Sequence, residues 1–401
     1  MRIARFILCG AVLTGCSHAP VGSPLPPAGP SVFISQSSNF QTLYRFTNPA
    51  DGAIPVGSLL GSNGALFGTT YQGGYGKPGL GVVYELGASG AENAVYTFTN
   101  STQGKGPYAG LTDVNGTFYG TTQEGGTYDE GTVFSLTASG TENVLFSFNG
   151  TDGSYPRAGL TNVNGVLYGT TYYGGADAYG TVFSITTGTT GATETVLHSF
   201  KSGSDGALPL GALIYVKNEL YGTTSLGGPS DDGTVFKITL AGKEEVVYRF
   251  EGGSDGDGAQ PFAGLTELNG NLYGTTYEGG ANDLGTVFEI DKRRAEKVLY
   301  SFAGGEDGAN PYAGITLLNG IPYGNTSRGG SGDYGTIYTI TPSGGETVLY
   351  NFTGGKGGKI PYASMTAIGG ALYGTTLFNG GTIFEFTPPT PKGRSKHDTP
   401  I

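Results

Sequence analysis

An aromatic-Gly-Thr-Thr string recurs along this chain at a near-constant interval, and that recurrence limits the possible folds more than any other feature. It starts at Phe67, Tyr119, Tyr168, Tyr221, Tyr273 and Tyr373, with Tyr323-Gly324-Asn325-Thr326 as a variant. Successive starts lie 49 to 53 residues apart. A second string follows each one. It runs Gly131–Phe134, Gly180–Phe183, Gly233–Phe236 and Gly285–Phe288, with looser copies at Gly81–Tyr84, Gly335–Tyr338 and Gly381–Phe384. Seven such copies imply a closed or stacked repeat fold.

The fifth copy shows what one unit contains. Ala263–Leu268 reads as a first strand, Asn271–Tyr277 as a second, Gly285–Ile290 as a third and Lys297–Phe302 as a fourth. Asn269-Gly270 between the first two is a hairpin turn, because both residues tolerate positive φ. The runs are β-branched and aromatic and show no helical period. Glycine makes up 75 of the 401 residues and disfavours helix interiors. The 26 Tyr and 21 Phe supply a large core, which excludes a disordered chain. Four strands in about 50 residues match a propeller blade.

Strand counting closes the ring. An aromatic pair marks each fourth strand, at Tyr96/Phe98, Phe146/Phe148, His198/Phe200, Tyr248/Phe250, Tyr300/Phe302 and Tyr350/Phe352. Another pair, Tyr44/Phe46, precedes the first full unit, and the last unit lacks one. The expected fold is therefore all-β: a seven-bladed β-propeller of four-stranded blades over residues 40–387. Its ring is closed by the N-terminal strand near Leu43–Phe46, which completes the last blade. A linear solenoid has no reason to begin with an isolated fourth strand. Every repeated aromatic is expected to serve packing rather than ligand stacking.

The string Leu167–Gly175 followed by Tyr179–Phe183 resembles the bacterial GloVer (Gloeobacter–Verrucomicrobia) tandem-repeat proteins over about residues 40–386. The resemblance implies surface display with a choice of anchoring devices, and it brings no catalytic residues. The blade layout is also similar to kelch repeats, although kelch units usually carry a Trp and this chain has none.

The N-terminus reads as an address. Met1–Arg5 is basic, Phe6–Leu13 is apolar, and Leu13-Thr14-Gly15-Cys16 resembles a bacterial lipobox. Residues 1–15 are thus expected to be a lipoprotein signal peptide. Residues 16–39 then form a lipidated Cys16 with a Pro-rich tether, and residues 388–401 a disordered tail. The expected location is exported and membrane-anchored by lipid, at an outer membrane or cell surface. Cys9 leaves with the signal, so no thiol remains in the body for a disulfide or a metal. The formal net charge of −11 argues against nucleic acid as a partner.

In a propeller, the fourth-to-first and second-to-third connections share one face. Here those loops carry Asp51, Asp152, Asp205, Asp255 and Asp307, and Asp177, Asp232, Asp283 and Asp333. Loops over a rigid scaffold usually carry function, so these residues are the candidate ligand-binding set. Two chemistries compete for them. Convergent carboxylates hold Ca²⁺, whereas Asp-Gly is ordinary turn chemistry. The wide ring favours the second, and no cofactor is expected. Glu92, Glu142, Glu194, Glu244, Glu296 and Glu346 read as solvated charges that keep outer strands from pairing edge to edge. His198 stands where other copies have Tyr or Phe and reads as a packing substitute.

No catalytic constellation is recognisable. The expected function is a surface-anchored binding or scaffolding module for an extracellular protein or glycan. The alternative is a propeller-type carbohydrate hydrolase or lyase using carboxylates such as Asp231 and Asp232.

Overall fold

The computed structural model describes residues 39–74, 79–188, 191–253 and 256–389. The expected signal peptide, Cys16, nearly all of the expected tether, Asp255 and residues 390–401 lie outside these residues.

Seven antiparallel sheets make up the ring, and in the first six the four blade strands lie in sequence order. In blade 5 they are Thr266–Leu268, Asn271–Thr276, Thr286–Ile290 and Glu296–Ser301. The turn Asn269-Gly270 has φ of 56° and 86°, as the hairpin reading requires. The first strand is shorter than the sequence pattern suggests, because residues 263–265 line the central channel before pairing begins. Blade 7 combines Thr366–Ile368, Ala371–Thr376 and Thr382–Thr387 with the N-terminal strand Asn39–Arg45. The ring therefore closes as the strand count requires.

The closing strand reproduces a detail of the other six fourth strands. Each third–fourth pair carries one register shift, for example between Val182 and Phe183. The closing pair has its shift between Thr42 and Tyr44. Such a bulge bends the strand and turns the aromatic pair behind it.

Packing between blades repeats seven times. The second aromatic of each fourth strand meets the third-strand aromatic of the next blade edge-on. Phe200 and Phe236 are 5.1 Å apart, Phe302 and Tyr338 5.2 Å, and Phe46 and Tyr84 5.1 Å across the closing seam. All six rings are essentially inaccessible to water. The glycine of the aromatic-Gly-Thr-Thr string makes room for the third-strand ring. A Cβ on Gly169 would stand 2.6 Å from Phe183 Cζ. Threonine hydroxyls stitch neighbouring blades as well. Thr223 donates to the Ala263 carbonyl at 2.9 Å, and Thr366 donates to the Leu59 carbonyl at 2.5 Å across the closure.

The expected sidedness holds. Fourth-to-first loops pair with second-to-third loops at Ala53/Gln72, Lys105/Glu124, Ser154/Tyr173 and Ala309/Arg328. In blade 4 this contact lengthens into a fifth strand, Ala207–Pro209 against Glu219–Leu226.

Candidate functional site

Just before each first strand the chain crosses from the loop face to the axis through a fixed device. A residue with positive φ hands its N–H to the preceding blade, and a proline follows. Ile54, Tyr155, Gln260 and Ile360 have φ of 55–60°. Their N–H groups donate to the carbonyls of Gly380, Glu130, Asp232 and Tyr334. A left-handed β-branched residue costs about 1–2 kcal/mol, so the inter-blade bond must hold it there. The proline then packs where the Gly-Thr-Val-Phe glycine lacks a side chain. A Cβ on Gly131 would lie 2.6 Å from Pro156 Cδ, and one on Gly381 2.2 Å from Pro55 Cδ.

The residue after each proline lines the central channel. These seven are Val56, Tyr108, Arg157, Leu210, Phe262, Tyr312 and Tyr362. The copies agree on the proline and differ at the next position. The channel encloses about 510 Å³, within the ~300–1,000 Å³ of small-ligand sites. Its mouth opens on the Asp-rich loop face, because these residues directly follow the fourth-to-first loops.

Aromatic rings form the wall. Tyr312 stacks on Tyr362 at 3.7 Å, and Phe262 lies 4.9 Å from Tyr312. The Tyr108 and Tyr362 hydroxyls share a 2.5 Å hydrogen bond. Arg157 is the one charged side chain among the described residues that line the channel. Its guanidinium lies 4.3 Å from the Tyr172 ring and 5.7 Å from that of Tyr108, within cation–π range. Its Nε is shielded from water and has no hydrogen-bond partner. Burial holds the Tyr312 and Tyr362 phenols well above their ordinary pKa, so both stay protonated. The same cause raises Tyr172, with Arg157 opposing it.

The predicted aspartates lie outside this wall. Most are occupied by their own loops. Asp152 accepts the Asn149 N–H at 2.9 Å, Asp283 that of Gly279 at 2.9 Å and Asp333 that of Gly329 at 2.8 Å. Asp177 is exposed beside left-handed Ala178. Asp232 is half-buried, and its neighbour Asp231 takes the turn bond from Gly227. Asp51 and Asp307 accept the phenols of Tyr44 at 2.7 Å and Tyr300 at 2.6 Å. Asp205 accepts the Lys201 N–H at 2.9 Å and faces His198. Asp257 accepts the Tyr248 phenol at 3.0 Å and the Glu251 N–H at 2.8 Å.

The glutamate ring requires a correction. These six are not solvated edge charges. Glu346 is buried and the other five are half-buried. Each sits in the cleft between two blades, near the fourth-strand aromatic of the preceding blade. Tyr96 donates to Glu142 at 3.1 Å, and Tyr44 lies 3.5 Å from Glu92. One carboxylate oxygen of each has no partner, and in Glu346 neither has. Burial pushes Glu92, Glu194, Glu244 and Glu296 up to about 7 and Glu346 up to about 8. A sequence shows the charge but not the neighbouring blade that encloses it.

The channel ring escaped the sequence reading, though its signal was present. Alignment of the copies on their prolines exposes one position that takes Val, Tyr, Arg, Leu and Phe between the proline and a Gly or Ala.

The family described as the Gloeobacter/Verrucomicrobia repeat matches residues 30–183 and 162–384. No curated protein matches the sequence. Among solved structures, a candidate 6-phosphogluconolactonase from Bacteroides uniformis is similar at a TM-score of 0.51 and 14% identity, covering 78% of this chain and 88% of its own. A puromycin hydrolase variant is similar at 0.50 and 11% identity, covering 82% of this chain and 50% of its own. A gluconolactonase from Xanthomonas campestris reaches 0.43 and 13% identity, covering 91% and 99%. At these identities the likeness is one of fold.

Proposed function

The chain belongs to the Gloeobacter/Verrucomicrobia repeat family, and from that premise we propose that its propeller is a binding module that seats an acidic carbohydrate in the mouth of the central channel. The unpartnered, water-shielded Nε of Arg157 inside an aromatic ring carries the reading. A guanidinium with free donors is matched by a carboxylate, which takes two parallel hydrogen bonds. Aromatic faces at Tyr312, Tyr362 and Phe262 suit the C–H faces of sugar rings. The net charge of −11 makes non-specific retention of acidic chains unfavourable, so a built cation in the channel confers selectivity.

The test is an array of neutral, sulfated and uronate-bearing glycans probed with the full chain. Uronate oligosaccharides are expected to be retained, and R157A to weaken retention about 10- to 100-fold. Retention confined to neutral glycans, or unaffected by R157A, defeats the proposal.

A second reading is a carbohydrate hydrolase or lyase. Tyr362, protonated and hydrogen-bonded to Tyr108 in the Arg157 channel, is placed to give a proton to a leaving oxygen. The similar folds described as a lactonase and a hydrolase are in keeping with it. Shortened or unsaturated sugars after incubation, lost in Y362F, would favour this reading over retention alone.

We also propose that Cys16 carries a lipid that holds the module at an envelope surface, from its place in Leu13-Thr14-Gly15-Cys16. Labelled palmitate incorporated by the wild-type chain and lost in C16S is the expected result.

A further inference from the structure

The cleft between blades 3 and 4 departs from its sisters in one residue, and the departure changes its chemistry. In three other clefts a tyrosine hydroxyl stands between the acids of two blades. Tyr44 donates to Asp51 and reaches Glu92, and Tyr248 donates to Asp257 at 3.0 Å beside Glu296. In this cleft His198 replaces the tyrosine. The imidazole packs edge-on against Phe200 at 4.8 Å, as the sister tyrosines pack on their own phenylalanines. Its ring ends short of where a phenol oxygen would stand, and the bridging O–H is gone.

What remains is three ligand atoms around one point. His198 Nε2 is 3.2 Å from Asp205 Oδ2, and a carboxylate oxygen of Glu244 joins them, all within 4.8 Å of one another. An ion centred among atoms that far apart stands at most about 2.8 Å from each, and small side-chain rotations close that to the roughly 2.1 Å of zinc–nitrogen and zinc–oxygen bonds. The Lys201 N–H holds Asp205 in place, as outer-shell donors do for ligating carboxylates. The side chains of His198 and Asp205 are 17% and 21% exposed, so an ion enters from the rim.

We propose that His198, Asp205 and Glu244 form a binding site for a divalent first-row transition ion of the zinc class, clamping blade 3 to blade 4. The imidazole excludes calcium, which takes oxygen ligands, and favours zinc, nickel or copper. Three protein ligands leave a further position for water. The site is independent of the channel reading and shares no residue with it.

The test uses the full chain stripped with chelator, titrated with Zn²⁺ by calorimetry and with Co²⁺ by visible absorption, with Ca²⁺ as control. One equivalent of Zn²⁺ is expected to bind and to raise the Tm, and Ca²⁺ to do neither. H198Y installs the residue used by five other blades, so the metal-free Tm should hold while Zn²⁺ affinity falls about 100-fold or more. E244Q should weaken binding about 10-fold or more and serves if H198Y folds poorly. Absence of Zn²⁺ binding to the wild-type chain overturns the proposal. So does binding that both variants retain, which would assign the ion to the two remaining histidines, His18 and His397.

Discussion

The seam between blades and the mouth of the channel are built from the same seven copies, yet they use repetition in opposite ways. At the seam the copies agree. A phenylalanine of one fourth strand meets an aromatic of the next third strand, and only Tyr84 and Tyr338 break an otherwise all-Phe row. At the mouth the copies agree on the proline and diverge at the next residue, from Val56 to Arg157. Constancy at the seam keeps the blade angle uniform, which a closed ring of seven demands. Divergence at the mouth costs less, because those side chains pack among themselves beside an open channel and not against the ring of the next blade's third strand.

Four measurements test that contrast. The largest effect is expected at the seam. Phe200→Ala should lower unfolding free energy by about 3–5 kcal/mol in denaturant titration, whereas Phe262→Ala at the mouth should cost about 1 kcal/mol. Equal losses would erase the distinction.

Next comes pH, which acts at the seam alone. Glu346 and Glu296 titrate near 8 and 7 in the folded chain, against an ordinary 4.5, because burial and the adjacent Asp307 and Asp257 disfavour their charge. The folded state therefore binds more protons than the unfolded state between those values, and stability falls as pH rises. The contribution is complete below about pH 4.5 and is lost as pH climbs through 7 to 8. Thermal melts should show a lower Tm at pH 8.5 than at pH 6, and E346Q should flatten that slope. A Tm that rises over this range would refute the buried-acid account.

At the mouth, R157A should leave the denaturation midpoint within about 0.5 kcal/mol of wild type while weakening uronate retention. A stability loss comparable to Phe200→Ala would make Arg157 a structural residue.

The smallest effect sharpens the seam. The hydroxyl of Tyr338 is buried without a partner, where five sister blades have Phe. Tyr338→Phe should stabilise by about 1 kcal/mol, read from the same titration.

Much of this was legible beforehand, for a physical reason. A repeat exposes its own constraints, so the strand order, the turn at Asn269-Gly270 and the closing role of Leu43–Phe46 could be read by comparing copies. What stayed hidden depends on contacts between copies. Glu296 looks like any polar strand opening until Tyr248 and Asp257 of the preceding blade are seen beside it. His198 is visible as a break in the pattern, but Glu244 becomes its neighbour only when blade 4 swings against blade 3. The aspartates drew attention through composition, while the channel position offered only inconsistency between copies.

The closing strand has a mechanical consequence. At the position where the six other fourth strands carry glutamate it has Phe40, which stacks on Tyr350 at 4.1 Å. That position of the latch holds no acid, but its Tyr44 still reaches Glu92 of blade 1, so the closing seam shares the alkaline loosening of the other joints. Asn39 pairs with Thr387 at the pole away from the channel mouth. Tension applied along the chain at Asn39 thus shears the whole latch at once rather than unzipping it rung by rung. The first and last rungs of the described ring, Asn39 and Thr387, therefore share one pole.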